Sequence, residues 1–228
     1  MSTQTTTRIF LVRHGATQLS AEDRFAGAIN PELFGRGILP GQGLAERLED
    51  DSNTAVYCSP MVRTVQTAAI LAKPHKLSPI LQDGLREIDH GHWEGMRRSE
   101  VEAQFNLEYA AWDEDPFTFA PQGGEAGVNV IARALPVIRQ VVLDHPGQNV
   151  IVVSHKATLR LLISALLGFD MRGYRDRLDQ SPACLNALDF KDPVRARLML
   201  FNDVSHYEDY PQRASGQLSK WWDTPGQD

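Results

Sequence analysis

The run Val150-Ile151-Val152-Val153-Ser154-His155-Lys156, continued by an amphipathic stretch to Leu167 and closed by Gly168, sets the architecture of this chain. Four β-branched residues in succession put apolar groups on both parities, as in a strand buried on both faces of a sheet. A polar turn follows, and the apolar spacing then predicts a helix over 156–167 with Gly168 as its stop. Ile9 to Val12 and Ala55 to Cys58 are strands of the same kind. Alternating strands and helices of this sort read as an α/β layer fold.

Outward from these strands, Met61 to Leu71 carries Val62, Val65 and Ala69 on one helical stripe, with Pro60 at the favoured first turn. Val128 to Leu143 is also helical in pattern, and Pro136 in its middle predicts a kink or two helices. Ala183 to Phe190 and Ala196 to Phe201 read as a closing antiparallel hairpin around Lys191-Asp192-Pro193. There is no internal repeat and no low-complexity linker. A single domain over 1–228 is expected, with a core over about 8–202, an inserted lid over about 84–124 and a polar tail over 203–228. In that tail Tyr207, Tyr210, Trp221 and Trp222 either dock on the body or fray.

Composition narrows the function classes. Hydrophobic residues at 42% and charged residues at 23% match ordinary globular usage and exclude disorder and fibrous repeats. The formal charge of −6, from 23 Lys plus Arg against 29 Asp plus Glu, argues against nucleic acid or an anionic membrane as partner. Any bound anion must therefore be drawn in by a local basic pocket. The most apolar stretch, Val150 to Phe169, is broken by His155, Lys156 and Arg160, short of the ~18 uninterrupted residues of a membrane span. The start, Met1 to Thr7, is polar, and Ile9 to Val12 falls short of a signal-peptide core of ~7 to 15 residues. Cys58 and Cys184 show no CxxC spacing, so reduced thiols in the cytoplasm are expected.

The chemistry gathers at strand ends, where ligands of α/β sheets bind. The first strand runs into Arg13-His14-Gly15-Ala16-Thr17, the second into Ser59-Pro60 with Arg63 one turn on, and the third into Ser154-His155-Lys156 at a helix N-terminus. Two histidines, two arginines and a lysine on one rim suit a phosphate group. A histidine among arginines can attack phosphorus while its neighbours hold the oxygens. The leaving alkoxide needs a proton, for which Glu87 in the loop Leu85 to Gly95 is the candidate and Asp89 the nearest alternative.

As an ordered set, Leu11-Val12-Arg13-His14-Gly15, Arg24-Phe25-Ala26-Gly27, Tyr57 to Ala68, Arg86 to Gly95, Gly123-Gly124-Glu125 and Val153-Ser154-His155 resemble the histidine phosphatase superfamily, in its phosphatase branch. The resemblance covers Arg8 to Phe201. It implies a phosphoglycerate mutase-like three-layer sandwich, with a mostly parallel central sheet flanked by helices on both faces. It further implies that His14 forms a phosphohistidine, that Arg13, Arg63 and His155 bind the phosphoryl group, that Glu87 is the proton donor, and that no metal or other cofactor is used. Gly15, Thr17, Ser20, Gly27 and Lys156 are expected to contact substrate.

The chain also departs from the family. Where the family commonly has Glu after the RHG, then Trp and Asn, this chain has Ala16, Gln18 and Ser20, which alters that part of the phosphate pocket. The family's frequent glycine after the second histidine is Lys156 here. Pro40-Gly41 stands in the first helix, which is expected to start late.

The expected activity is that of a metal-independent phosphomonoesterase acting on a small phosphorylated metabolite. Alternatives are a phosphoglycerate mutase-type phosphotransferase and a non-catalytic phospholigand-binding protein. The first is disfavoured because only Arg97 and Arg98 supply positive charge between Glu87 and Gly124. Plainer readings stand beside the functional ones. His90 and His92 could join His14 and His155 at a metal; Arg97-Arg98 could be a solvated helix start; Arg172, Arg175 and Arg177 could be surface charges beside Asp170, Asp176 and Asp179. Trp93 and Trp112 fit the lid core as well as a substrate wall. Lys156 either meets a second anionic group or lies outward with its stem on apolar surface. Whether the chain works alone or as a homodimer stays open.

Overall fold

Alternate residues along the central strands feed two different cores, and this parity divides the molecule into layers. In the computed structural model, which describes residues 6–208, the strands are β1 (Thr7–Arg13), β2 (Asn53–Cys58), β3 (Ile80–Leu81), β4 (Asn149–Ser154), β5 (Leu185–Phe190) and β6 (Ala196–Asp203). Ile9, Leu11, Ala55, Tyr57, Val150 and Val152 point into one core. Phe10, Val12, Val56, Cys58, Ile151 and Val153 point into the other. The sheet order is β3-β2-β4-β1-β5-β6; β1, β2, β3 and β4 are parallel, and β5 runs antiparallel to both β1 and β6.

Between the strands come helices α1 (Gln18–Ala21), α2 (Gly35–Arg47), α3 (Val62–Ala72), α4 (Arg98–Gln104), α5 (Asn106–Glu114), α6 (Gly127–Asp144), α7 (Lys156–Leu167) and α8 (Tyr174–Arg177). Helices α2 and α3 cover one sheet face with Leu44, Ala45, Ala68 and Leu71. Helices α6 and α7 cover the other with Ala134, Ile138, Leu159 and Leu162. The expected sandwich is therefore present, with helices on both faces. The chain leaves β1 toward the α2/α3 face and leaves the adjacent β4 toward the α6/α7 face. Their carboxyl ends part, which opens a crevice.

Helix α7 occupies the residues the sequence predicted, ending at Gly168 with φ of 71°. Three local expectations are corrected. Pro136 does not split the pattern into two helices, since α6 is one helix of 18 residues. Pro136 is exposed, and the buried stripe Val130, Ala134, Ile138, Val141 runs past it, so packing outweighs one missing solvent-side hydrogen bond. Helix α2 starts at Gly35 rather than late, with Pro40 inside it. Pro60 lies before the cap residue Met61 rather than in the first turn of α3.

The stretch after β3 forms short helices, α4 and α5 among them, joined by loops. Its own core is Trp93, Val101, Tyr109 and Trp112, against which Phe25 and Phe119 pack. The hairpin turn after β5 is held by Asp192, whose carboxylate accepts the N–H groups of Val194 and Arg195. Tyr207 docks by donating its hydroxyl to the carbonyl of Pro182. Tyr210, Trp221 and Trp222 lie outside the described residues. Cys58 and Cys184 are buried free thiols, and burial pushes them up to about 11 and about 12. Among the described residues no helix is long and apolar enough to cross a membrane.

Candidate active site

Register brings the two histidines together. Strands β1 and β4 pair with Arg13 opposite Ser154, so the next residues, His14 and His155, leave the sheet side by side. Their rings meet edge to face, with centroids 5.2 Å apart. The backbone N–H of His14 donates to the Ser154 carbonyl at 3.0 Å, and its carbonyl accepts from Ala183 at 3.1 Å. The nucleophile candidate is thus tied to β4 on one side and to the turn before β5 on the other.

The tautomer of His14 follows from its partner. Nδ1 lies 2.7 Å from the carbonyl oxygen of Gly15, which can only accept, so Nδ1 carries the proton and Nε2 keeps its lone pair. Burial, then the charges of Arg13 and Arg63, hold His14 well below 6.5. The ring is neutral at pH 7. His155 is fixed in the same way. Nε of Arg63 donates to its Nδ1 at 3.2 Å, which leaves the proton on Nε2 for Ser59 Oγ at 2.9 Å. Burial, then Arg63, keeps it well below 6.5 as well.

The two arginines are equipped differently. Arg63, at the start of α3, makes four hydrogen bonds: to His155 and to the carbonyls of Ile29, Ala26 and Gly27. Of five N–H groups it keeps one in reserve. Arg13 donates from Nη1 to the Gln180 carbonyl at 2.6 Å, while its buried Nε has no partner. Burial pulls it below 12.5, a cost that an anion would offset.

Glu87 reaches across to cap α7. Its Oε2 accepts from the N–H of Ala157 at 3.1 Å, and its Oε1 from the N–H and hydroxyl of Thr158, both at 3.1 Å. These are the second and third residues of a helix whose own cap position, His155, supplies no side-chain bond. Asp89 instead accepts from the N–H of Gly91 and does not line the cavity.

The cavity at these strand ends measures about 550 Å³. Arg13, His14, Arg63, Glu87, Thr17 and Ser20 line it, and so does Lys156. His155 is fully buried just behind His14. Gly15 and Gly27 do not line it. The N–H of Gly15 goes to Thr67 at 3.1 Å, and a Cβ there would meet the Gly37 carbonyl at 2.2 Å, so this glycine permits close backbone approach rather than touching a ligand. The N–H of Gly27 goes to Glu94, and its carbonyl to Arg63. Thr17 and Ser20 cap each other across α1.

His90 lines the cavity, whereas His92 pairs with Glu108 at 3.2 Å and does not. Among the described residues no three His, Cys, Asp or Glu side chains converge to hold a metal. Trp93 is wholly lid core; Trp112 is both core and cavity wall. Arg98 lines the cavity and donates to the Tyr109 hydroxyl at 2.5 Å. Arg175 lies 4.3 Å over Trp112 and pairs with Asp113, so it is no free surface charge, while Arg172 is exposed. Arg160 and Asp179 are wall residues that sequence reasoning missed. The signal was there, since 156 and 160 are one helical turn apart and share a face.

The sequence matches the family described as the histidine phosphatase superfamily (branch 1) over residues 9–204. It is 35% identical over 164 residues to phosphoserine phosphatase 1 of Hydrogenobacter thermophilus, covering 72% of this chain and 78% of that protein. It is 30% identical over 168 residues to glucosyl-3-phosphoglycerate phosphatase of Mycobacterium tuberculosis, covering 70% and 75%. The fold superposes on that of YhfR from Bacillus stearothermophilus with a TM-score of 0.82 at 28% identity, covering 88% of this chain and 98% of the other.

Proposed function

This chain belongs to the histidine phosphatase superfamily, and from that premise we propose that it hydrolyses the phosphate monoester of a small metabolite, with His14 as the group that takes the phosphoryl. The observation that carries this reading is the Nδ1 hydrogen bond of His14 to its neighbour's carbonyl, which reserves Nε2 for attack.

In the first step Nε2 of His14 attacks phosphorus in line and the ester P–O bond breaks. Glu87 gives its proton to the departing alkoxide. Arg13, with the unpartnered Nε, neutralises charge on the phosphoryl oxygens, and the one N–H that Arg63 keeps in reserve adds a directed donor, while His155, held between Arg63 and Ser59, backs the site behind His14. In the second step water attacks the phosphohistidine, the P–N bond breaks, and the Glu87 carboxylate takes the water's proton. Inorganic phosphate leaves and both residues return to their starting states.

The two similar phosphatases act, by their names, on a phosphoserine and on a glucosylated phosphoglycerate, which supports a small phosphorylated substrate here. The test is phosphate release from a panel of phosphoserine, phosphoglycerates, sugar phosphates and an aryl phosphate. Wild type should release phosphate and pass through an acid-labile, base-stable phosphoprotein. His14→Ala should do neither while keeping its circular dichroism spectrum; a variant that retained most of the rate would remove His14 from the reaction.

A further inference from the structure

Beyond the phosphoryl pocket, α7 carries a second group of charges into the same cavity. Lys156 and Arg160, one turn apart, both line it and share one carboxylate. Oδ1 of Asp179 lies 3.1 Å from Nη2 of Arg160 and 3.9 Å from Nζ of Lys156.

The pairing is unequal. The Arg160 side chain is 9% exposed and that of Asp179 is 53% exposed, so a buried cation leans on a wet anion. Nε of Arg160 is buried without a partner. Arg13, itself wanting an anion, stands close enough to act on both Lys156 and Arg160. Asp179 is the carboxylate in ion-pair reach of Lys156 and Arg160, with Asp23 acting on Lys156, and Glu87 on Arg160 and Arg13, from farther off.

Resting on the phosphatase reading, we propose that Lys156 and Arg160 form a second anion subsite, in which Asp179 keeps the place of a carboxylate or phosphate borne by the substrate's leaving group. The favoured substrate class is then a phosphate monoester with a second anionic group.

The state of Lys156 agrees with this. Burial, then Arg160 and Arg13, draws its ammonium down to about 7, and it stands in the first turn of a helix, where a cation is disfavoured. Against the upward push of burial, Lys156 and Arg160 hold Asp179 below the ordinary carboxylate value. An incoming anion would relieve the same strain on the two cations without the exposure. Tyr174, Leu178 and Pro182 also line the cavity and would cover the carbon skeleton between the two anionic ends.

Binding can be measured apart from turnover. In a His14→Ala background, calorimetry would give dissociation constants for 3-phosphoglycerate, fructose 1,6-bisphosphate and phenyl phosphate. Adding Lys156→Gln should weaken the two doubly anionic ligands about tenfold more than phenyl phosphate. Lys156→Arg should restore most of that difference. Asp179→Asn should act in the opposite direction and tighten the doubly anionic ligands severalfold relative to phenyl phosphate. A preference for 3-phosphoglycerate assigns the subsite to carboxylate, and one for the bisphosphate assigns it to phosphate. Equal shifts for all three ligands, or an Asp179→Asn change of the same sign as Lys156→Gln, would overturn the subsite. The phosphatase reading itself stands or falls on wild-type phosphate release.

Discussion

His14 donates a hydrogen bond to the carbonyl of Gly15, its own neighbour, at 2.7 Å. The bond spans so short a stretch of chain that it holds only if the backbone after β1 turns sharply. Residue 15 is itself held in place because it lacks a Cβ, which lets the Gly37 carbonyl pack against it. The carbonyl so fixed sets the tautomer of the neighbouring ring.

Gly15→Ala tests this dependence. The added methyl would sit 2.2 Å from the Gly37 carbonyl, in backbone that cannot rotate away. Stability should drop by about 1–3 kcal/mol. The rate of phosphate release should fall further than a stability loss explains, since the ring loses its fixed acceptor. Wild-type kcat in this variant would show that the ring needs no such fixing.

Glu87→Gln should slow alkyl phosphates about 10²- to 10⁴-fold and aryl phosphates much less, because only the former need a proton on the leaving oxygen. The same change weakens the cap on α7, costing about 1 kcal/mol in a denaturant melt. Equal rate losses on both ester types would take the proton donor role away from Glu87.

The strands and α7 were legible because burial on both parities and a terminal glycine are properties of short stretches. The set of residues on the rim was legible too, since each follows a strand. Pro136 misled because its effect depends on which side of α6 faces water, a tertiary fact. Asp179 looked like one of several surface acids, and only the path of the chain after α8 brings it to Arg160. Gly27 was taken for a ligand contact, yet it fits beneath the Ile88 carbonyl, 1.8 Å from where a Cβ would stand, in a contact no local pattern encodes.

Arg13 and Arg63 should separate by what they hold. Arg13→Lys should weaken vanadate inhibition about tenfold or more, since a forked donor is replaced by a point charge. Arg63→Lys should do this and also lower Tm, because its guanidinium binds the carbonyls of 26, 27 and 29, whose amides at 27, 28 and 29 are held by Glu94. Identical thermal profiles for the two variants would contradict the division.

Stability should depend on pH through the same histidines. His14 and His155 bind protons more weakly folded than unfolded, being held well below 6.5 by burial and adjacent guanidinium groups. The unfolded chain therefore takes up more protons as pH falls, and folding stability declines below pH 6.5. Each histidine contributes up to about 1.4 kcal/mol per pH unit there. Asp192 and Asp203, held at about 2, lose their contribution only at lower pH. Melting temperatures from pH 7.5 to 5.5 should fall steadily; a flat profile would mean that the rings accept protons in place.

The strand that presents His14 is clasped by residues far along the chain: Gln180 receives Arg13, and Ala183 donates to the carbonyl of His14 itself. Synthesis delivers His14, Arg63, Glu87 and His155 before either fastening. A nascent chain that has not yet reached residue 183 thus carries the groups for attack without the bonds that aim the first of them, and competence comes only after that point is passed.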